Sequence, residues 1–150
     1  MSILWSLQLR REAASVPFAR RLLLGAMETA GVDPDICYDL SVALSEACAN
    51  AVEHGGQGAG AAAAYQVTAY LDGERCRIEV SDSGPGFAGG ALYPFVTEPG
   101  AEAESGRGLM LIQKLADHVR VDNLPGAGGA VVSFDKLLKW RENAPLTAAV

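Results

Sequence analysis

This chain of 150 residues contains little of what metal and redox sites are usually built from. It has two histidines, His54 and His118, and three cysteines, Cys37, Cys48 and Cys76. Because the cysteine number is odd and no CxxC pair occurs, buried structural thiols are favoured over a disulfide framework or a metal site. A histidine-rich metal centre is disfavoured for the same lack of ligands.

Excess basic charge and long apolar runs are also missing. The formal net charge is −6, which argues against a general nucleic-acid binder and a polybasic membrane binder. No apolar run reaches the ~18 residues needed to span a bilayer. The N-terminal stretch MSILWSLQLRREAA places its positive charge after the apolar run, the reverse of a signal peptide. We therefore expect a cytoplasmic protein that binds neither nucleic acid nor a membrane directly.

Two common phosphate-binding signatures are absent as well. No GxxxxGK[ST] segment occurs, so this is not a P-loop protein. No G-x-G-x-x-G opens a βαβ unit either, which argues against a Rossmann dinucleotide site.

What is present predicts one α+β domain over residues 1–150. Apolar periodicity, helix start signals and a hairpin turn at Asp72-Gly73 define the elements. They predict a two-layer sandwich in which a mixed, largely antiparallel sheet carries about three helices on one face. A tail over about 139–150 is expected to be frayed. The predicted strands cover about 3–9, 65–71, 75–81, 118–123 and 130–134, and the helices about 15–30, 34–54 and 108–116.

The second predicted helix contains the stretch LSEACANAVEHG. Glu46 and Asn50 lie about 40° apart around the helix axis, and Asp39 shares their face. A solvated stripe is the simplest interpretation, but asparagine is a poor mid-helix residue. Its side-chain oxygen suits Mg²⁺. A carboxylate one turn away can orient or deprotonate an attacking hydroxyl.

A second stretch, DSGPGF, directly follows a predicted strand. Read alone it is a tight turn. Alternatively, the strand ends by presenting the Asp82 carboxylate to an exocyclic amine such as that of adenine. Gly84 and Gly86 would then let a ligand lie against the backbone.

A third stretch, SGRGL, opens a predicted helix. It is either a loop that simply stops at a helix, or a helix start whose free N–H groups hold phosphates. Arg107 can add charge-assisted bonds to a phosphate. The GRG sequence is a weak signal by itself.

Together and in this order, the three stretches resemble the N, G1 and G2 boxes of the GHKL ATPase superfamily, which has the Bergerat fold. The chain is most similar to the bacterial anti-sigma-factor serine/threonine kinases, over about residues 1–138. The matching residues are Glu46 and Asn50 for the N box, Asp82, Gly84 and Gly86 for the G1 box, and Gly106 and Gly108 for the G2 box.

This resemblance implies that ATP and Mg²⁺ are bound. By analogy Glu46 prepares the attacking hydroxyl, Asn50 holds Mg²⁺ and Asp82 reads the adenine amino group. Gly84 and Gly86 let the nucleotide lie close, and residues 88–105 form the ATP lid. The phosphate-side contacts would come from Gly106, Arg107, Gly108 and Leu109.

The resemblance also implies partners. Members of this group transfer the γ-phosphoryl group of ATP to a serine or threonine of an anti-anti-sigma protein of the STAS type. They also sequester a sigma factor and form homodimers.

Two departures from the family pattern keep an alternative open. Many relatives carry a threonine where this chain has Ala130, and the acidic lid lacks a lysine, which leaves Arg107 as the main candidate cation near the phosphates. The alternative is a nucleotide-binding sequestration module with little or no kinase activity. A histidine-kinase catalytic domain is disfavoured because residues 1–43 contain no histidine.

Overall fold

The computed structural model describes residues 2–54, 64–82, 103–123 and 129–142. Within these ranges the chain forms one strand, two helices, two strands, one helix and two strands, in that order. The strands are β1 (Ser2–Arg10), β2 (Ala64–Leu71), β3 (Arg75–Asp82), β4 (His118–Asn123) and β5 (Ala130–Leu137). The helices are α1 (Ser15–Ala30), α2 (Pro34–His54) and α3 (Ala103–Leu115).

The five described strands form one sheet in the order β1-β2-β3-β5-β4, and every neighbouring pair is antiparallel. The turn between β2 and β3 is closed by Asp72, whose carboxylate accepts the N–H groups of Glu74 and Arg75 at 2.7 Å each. These two hydrogen bonds lower the pKa of the Asp72 carboxyl. The predicted hairpin and the predicted α+β class are confirmed.

One face of this sheet is apolar and packs against the helices. Strand residues alternate in burial, as expected for an antiparallel sheet covered on one side. Helix α2 lies over β3 and β5 and contacts both α1 and α3, so it forms the centre of the helical layer. The buried strand residues are Leu9, Tyr65, Val67, Ala69, Cys76, Ile78, Val80, Val119, Val121, Ala130, Val132 and Phe134.

Strand β1 departs from the simple alternation of Ile3, Trp5, Leu7 and Leu9. Its register shifts between Ile3 and Trp5, so Ile3 pairs with Tyr70 and Trp5 with Ala69. An inserted residue of this kind turns the following side chains to the other face. Ile3 is therefore 61% exposed while Leu9 is buried, although both belong to the same apolar alternation in the sequence.

The connection from α1 to α2 follows its local sequence signals. Gly31 ends α1 with φ 93°, and its N–H donates to Met27 and Glu28 carbonyls. This left-handed conformation favours glycine. At the start of α2 the Asp33 carboxylate accepts the Asp35 N–H at 2.9 Å. Both predicted helix boundaries are confirmed.

The segment after β5 is better ordered than predicted. Trp140 pairs with Val32, and its indole N–H donates to the Gly73 carbonyl at 2.9 Å. The Lys139 carbonyl accepts the Asp33 N–H at 2.7 Å. The prediction of a frayed tail from about residue 139 is thus wrong for residues 139–141, and residues 143–150 lie outside the described ranges. Among the described residues, no helix is long and apolar enough to cross a bilayer.

Candidate functional site

Helix α2 has the two-sided character that its sequence predicts. One side packs into the core through Leu40, Leu44, Ala47, Cys48 and Ala51. The other carries Asp39, Glu46 and Asn50, which are all partly buried rather than fully exposed. A solvated stripe therefore does not describe this face.

What covers the polar face of α2 is helix α3. A β-carbon placed on Gly108 would lie 3.1 Å from the Glu46 Oε2 atom. Seven residues further along α3, the Leu115 carbonyl accepts a hydrogen bond from the Lys136 ammonium at 2.5 Å, and that ammonium lies 3.5 Å from the Asp39 carboxylate. Asp39 precedes Glu46 by the same seven residues, so α2 and α3 run antiparallel in this register.

The antiparallel register also places Asn50 relative to α3. Asn50 is one helical turn beyond Glu46, and one turn before Gly108 lies residue 104. Both helices rise by about 1.5 Å per residue, so Asn50 is level with the first turn of α3. The first N–H groups of a helix have no partner within it and favour anions.

Asn50 carries a polar atom without a visible structural partner. Among the described residues, its Oδ1 is buried and accepts no hydrogen bond. The other three such side-chain atoms, on Trp5, Arg11 and Arg77, are all nitrogens. Asn50 Oδ1 is therefore the only orphaned acceptor oxygen in this set, and a hard oxygen ligand is what Mg²⁺ takes. The residue fits the predicted metal role.

Asp82 ends β3 at the same end of the molecule as Asn50. The β2–β3 ladder pairs Gln66 with Ser81, so Tyr65 lies opposite Asp82. Tyr65 lies beside Cys48 of α2, close enough for each side chain to affect the pKa of the other. The end of β3 is thus level with the last turns of α2. Asp82 takes part in interactions of its own within the chain.

The start of β5 completes this end of the sheet. Ala130 pairs with Asp82 across the β3–β5 ladder and is 3% exposed. Gly129, just before it, has φ 105°, a conformation that favours glycine. Ala130, where the resemblance described above leads us to expect a threonine, is therefore directly beside the predicted adenine-reading aspartate.

Helix α3 begins at Ala103, five residues before the predicted start at Gly108. Ala, Glu and Ser before the glycines extend the helix, although the glycines suggested a loop. The N–H groups of residues 106–108 are consequently used within α3, and the free ones belong to its first turn. The predicted ATP lid, 88–105, overlaps α3 in its last three residues.

The remaining predicted contacts divide into two groups. Gly84, Gly86 and residues 88–102 of the predicted lid lie outside the described ranges, as does the Arg107 side chain. Leu109 is described and is 5% exposed in the hydrophobic core, so its side chain faces away from a ligand. The roles of these residues toward phosphate stay predictions.

Lys136 is a residue of this region that the sequence reasoning missed. It bridges α2, α3 and β5 and is only 14% exposed. The predicted strand stopped at Phe134, but the strand continues to Leu137. Lys136 follows Phe134 by two residues and so falls on the same, helix-facing side. If the predicted strand had been extended to Leu137, Lys136 would have been recognised as a lysine at a core-facing position.

The cysteines play the structural part predicted for them. Cys37, Cys48 and Cys76 are free and buried. Burial raises the pKa of the Cys48 thiol and of the Cys76 thiol to about 12 each. They therefore stay protonated near neutral pH and are poor nucleophiles and metal ligands. Among the described residues no group of three or more His, Cys, Asp or Glu side chains is placed to hold a metal.

A shallow depression on the opposite face of the sheet is a poor competitor for this site. Its charged residues are largely paired with each other, Arg120 with Asp122 at 2.8 Å and Arg77 with Glu79 at 3.4 Å. Such pairs are typical of a solvated sheet face.

Comparison with known proteins identifies the family of this chain. The histidine kinase-like ATPase domain family matches residues 9–136. The chain is 34% identical over 128 residues to the serine-protein kinase RsbW of Bacillus pumilus, covering 79% of this chain and 78% of that protein. It is 31% identical over 118 residues to an anti-sigma F factor of Thermoanaerobacter, covering 76% and 80%.

A solved structure supports the fold. The RsbU and RsbW domains of Rv1364c from Mycobacterium tuberculosis match with a TM-score of 0.64 at 22% identity. The match covers 92% of this chain and 34% of that longer one.

Proposed function

Since this chain belongs to the histidine kinase-like ATPase domain family, among its anti-sigma-factor serine kinases, we propose that it binds Mg·ATP and phosphorylates a protein. The acceptor is a serine or threonine of an anti-anti-sigma protein, and the chain also sequesters a sigma factor and acts as a homodimer. The names of these relatives, a serine-protein kinase and an anti-sigma factor, support the two activities.

The observation that carries the proposal is the buried, orphaned Oδ1 of Asn50, with Glu46 one turn earlier on the same covered face. Asn50 supplies an oxygen ligand for Mg²⁺, and the first turn of α3 supplies N–H groups for phosphate. Asp82, level with them at the end of β3, is the proposed partner of the adenine amino group. Bound Mg²⁺ neutralises charge on the phosphates.

Glu46 is the proposed base of the transfer. Its carboxylate takes the proton of the acceptor hydroxyl as that oxygen forms a bond to the γ-phosphorus. The bond from the γ-phosphorus to the bridging oxygen breaks, and ADP leaves with that oxygen. Such transfer depends mainly on positioning and charge stabilisation, so placement of Glu46 against α3 matters more than its intrinsic basicity.

A second candidate function is sequestration with little or no transfer. It is favoured by Ala130, a methyl group in the place beside Asp82 where many relatives have a hydroxyl. The two functions share nucleotide binding and differ in phosphoryl transfer.

Two measurements on Glu46→Ala and the wild type test the proposal. Calorimetry with ATP, with and without Mg²⁺, should give equal binding by both proteins, because Glu46 contacts the acceptor rather than the nucleotide. Transfer from γ-³²P-labelled ATP to an anti-anti-sigma protein from the same organism should be lost in Glu46→Ala by about 10²-fold or more. No binding heat at millimolar Mg·ATP would refute the nucleotide site. Binding without transfer by the wild type would favour sequestration alone.

A further inference from the structure

Gly108 occupies a helical position at which glycine is unfavourable. A glycine inside a helix costs about 1 kcal/mol relative to alanine, and Gly108 lies in the second turn of α3. Its backbone does not require glycine, since the described glycines with positive φ are Gly31 and Gly129. Another reason for a glycine at this position is therefore needed.

The surroundings of Gly108 provide that reason. An added β-carbon would lie 3.1 Å from Glu46 Oε2 and 4.0 Å from Glu46 Cβ, where ordinary contacts begin at 3.4 Å. Gly25 in α1 is also helical, but a β-carbon there meets nothing within 4 Å. The Glu46 carboxylate thus occupies the space that a side chain at residue 108 would need.

We propose that Gly108 is a positioning residue that forms a notch in α3 for the Glu46 carboxylate. The inference rests on the proposed function, in which that carboxylate takes the proton of the acceptor hydroxyl. It gives Gly108 the role of positioning the Glu46 carboxylate rather than that of contacting phosphate directly. This agrees with the use of its N–H inside α3.

The notch has opposite consequences for folding and for transfer. A methyl group at residue 108 displaces Oε2 by a few tenths of an ångström. This is the end of a flexible side chain, so the fold accommodates the change at little cost. A base, in contrast, must lie within hydrogen-bond reach of the proton it takes, and small displacements slow a positioned reaction strongly. Gly108→Ala should therefore keep the fold while losing transfer.

The test compares Gly108→Ala with the matched control Gly25→Ala, each made in the wild type and in Glu46→Ala. Gly25→Ala should raise the melting temperature by about 3 °C in both backgrounds through helix propensity alone. Gly108→Ala should raise it clearly less when Glu46 is present than when residue 46 is alanine. That difference reports direct contact between residues 46 and 108.

Kinetics supply the readout that a purely structural role would not change. With γ-³²P-labelled ATP and the anti-anti-sigma protein, Gly108→Ala should lower kcat about tenfold and leave the KM for ATP within about twofold. Gly25→Ala should change neither. An equal melting-temperature gain in both backgrounds, with wild-type kcat, would overturn the notch. So would a KM for ATP raised about tenfold at unchanged kcat, the result expected if the glycine serves phosphate approach.

Failure of the notch and failure of the proposed function are distinguishable. If the wild type transferred no phosphate, the kinase proposal would fall. The melting-temperature comparison needs no activity and would still decide the notch, with unequal gains supporting it and equal gains overturning it.

Discussion

Replacing Asn50 by alanine should stabilise the protein in the absence of nucleotide and abolish its Mg²⁺-dependent response to ATP. Asn50 Oδ1 is buried and accepts no hydrogen bond from the described residues. Leaving a buried acceptor unpaired costs about 1–3 kcal/mol, and asparagine costs a helix about 0.6 kcal/mol relative to alanine. Both costs disappear in Asn50→Ala.

The loss of side-chain packing in Asn50→Ala acts in the opposite direction and is smaller. Alanine removes the packing of a side chain that is only partly buried, which costs about 1 kcal/mol. The net expectation is a gain of about 1 kcal/mol, or a melting temperature about 3 °C higher for a domain of this size. The wild type should in turn gain about 2.7 kcal/mol from Mg·ATP at a hundred times its Kd. Asn50→Ala should lose the Mg²⁺-dependent part of this stabilisation, which is the part that EDTA removes in the wild type.

The assay is thermal unfolding of both proteins with no ligand, with ATP and EDTA, and with ATP and Mg²⁺. Ser45→Ala is the matched control, because Ser45 lies in the same helix and its hydroxyl donates to the Ser41 carbonyl at 2.8 Å. That variant should stay within about 0.5 kcal/mol of the wild type and keep the full Mg²⁺ response. An Asn50→Ala protein that loses helical signal and melts lower would show a core role. A full Mg²⁺ response in Asn50→Ala would remove Asn50 from the metal site.

Three further changes test neighbouring features. Ala130→Thr should tighten ATP binding about fivefold by restoring one hydrogen bond, while the isosteric Ala130→Val should not, and calorimetry compares them. Lys136→Met should lower the free energy of unfolding in urea by about 1–2 kcal/mol, because both the Leu115 carbonyl and Asp39 lose their partner. Lys136→Arg should restore most of this stability. An unfolding free energy in Lys136→Met equal to that of the wild type would show that the bridge does not contribute to stability. The raised pKa of Cys48 (from 9.0 to about 12) means that its contribution to stability is complete below pH 9 and is lost as pH rises toward 12. Unfolding between pH 9 and 11 should therefore show a slope that is smaller in Cys48→Ala by up to about 1.4 kcal/mol per pH unit, and equal slopes would contradict this.

Elements with local signals were predictable from the sequence. The boundaries of α1 and α2 were correct because Gly31 and Asp33 act through their own backbone and side chain. The start of α3 was placed five residues late, at Gly108, because Gly106 and the residues before it were taken for a loop. Helix propensity alone predicts this late start, because glycine is unfavourable in a helix. The reason for a glycine at residue 108 lies in a different helix.

The candidate site was predictable in its residue types but not in its contacts. The spacing of Glu46 and Asn50 places both on one side of α2, whatever the rest of the fold does. That α3 covers this side, and that Lys136 fixes its far end, depends on pairings between residues far apart in the chain. Such contacts leave no periodic trace in a single sequence.

The contact between α2 and α3 explains why α2, whose other side packs into the core, carries an acid and an amide at Glu46 and Asn50. If α2 faced water on this side, Glu46 and Asn50 would be ordinary surface residues and Gly108 would gain stability as alanine. Because α3 covers that side, an unpaired amide oxygen and a helical glycine each reduce stability where they stand. These two locally unfavourable choices meet along one helix–helix contact, next to Glu46 and the first turn of α3. Their coincidence is expected of a site whose purpose is to bind an anionic ligand and place a base.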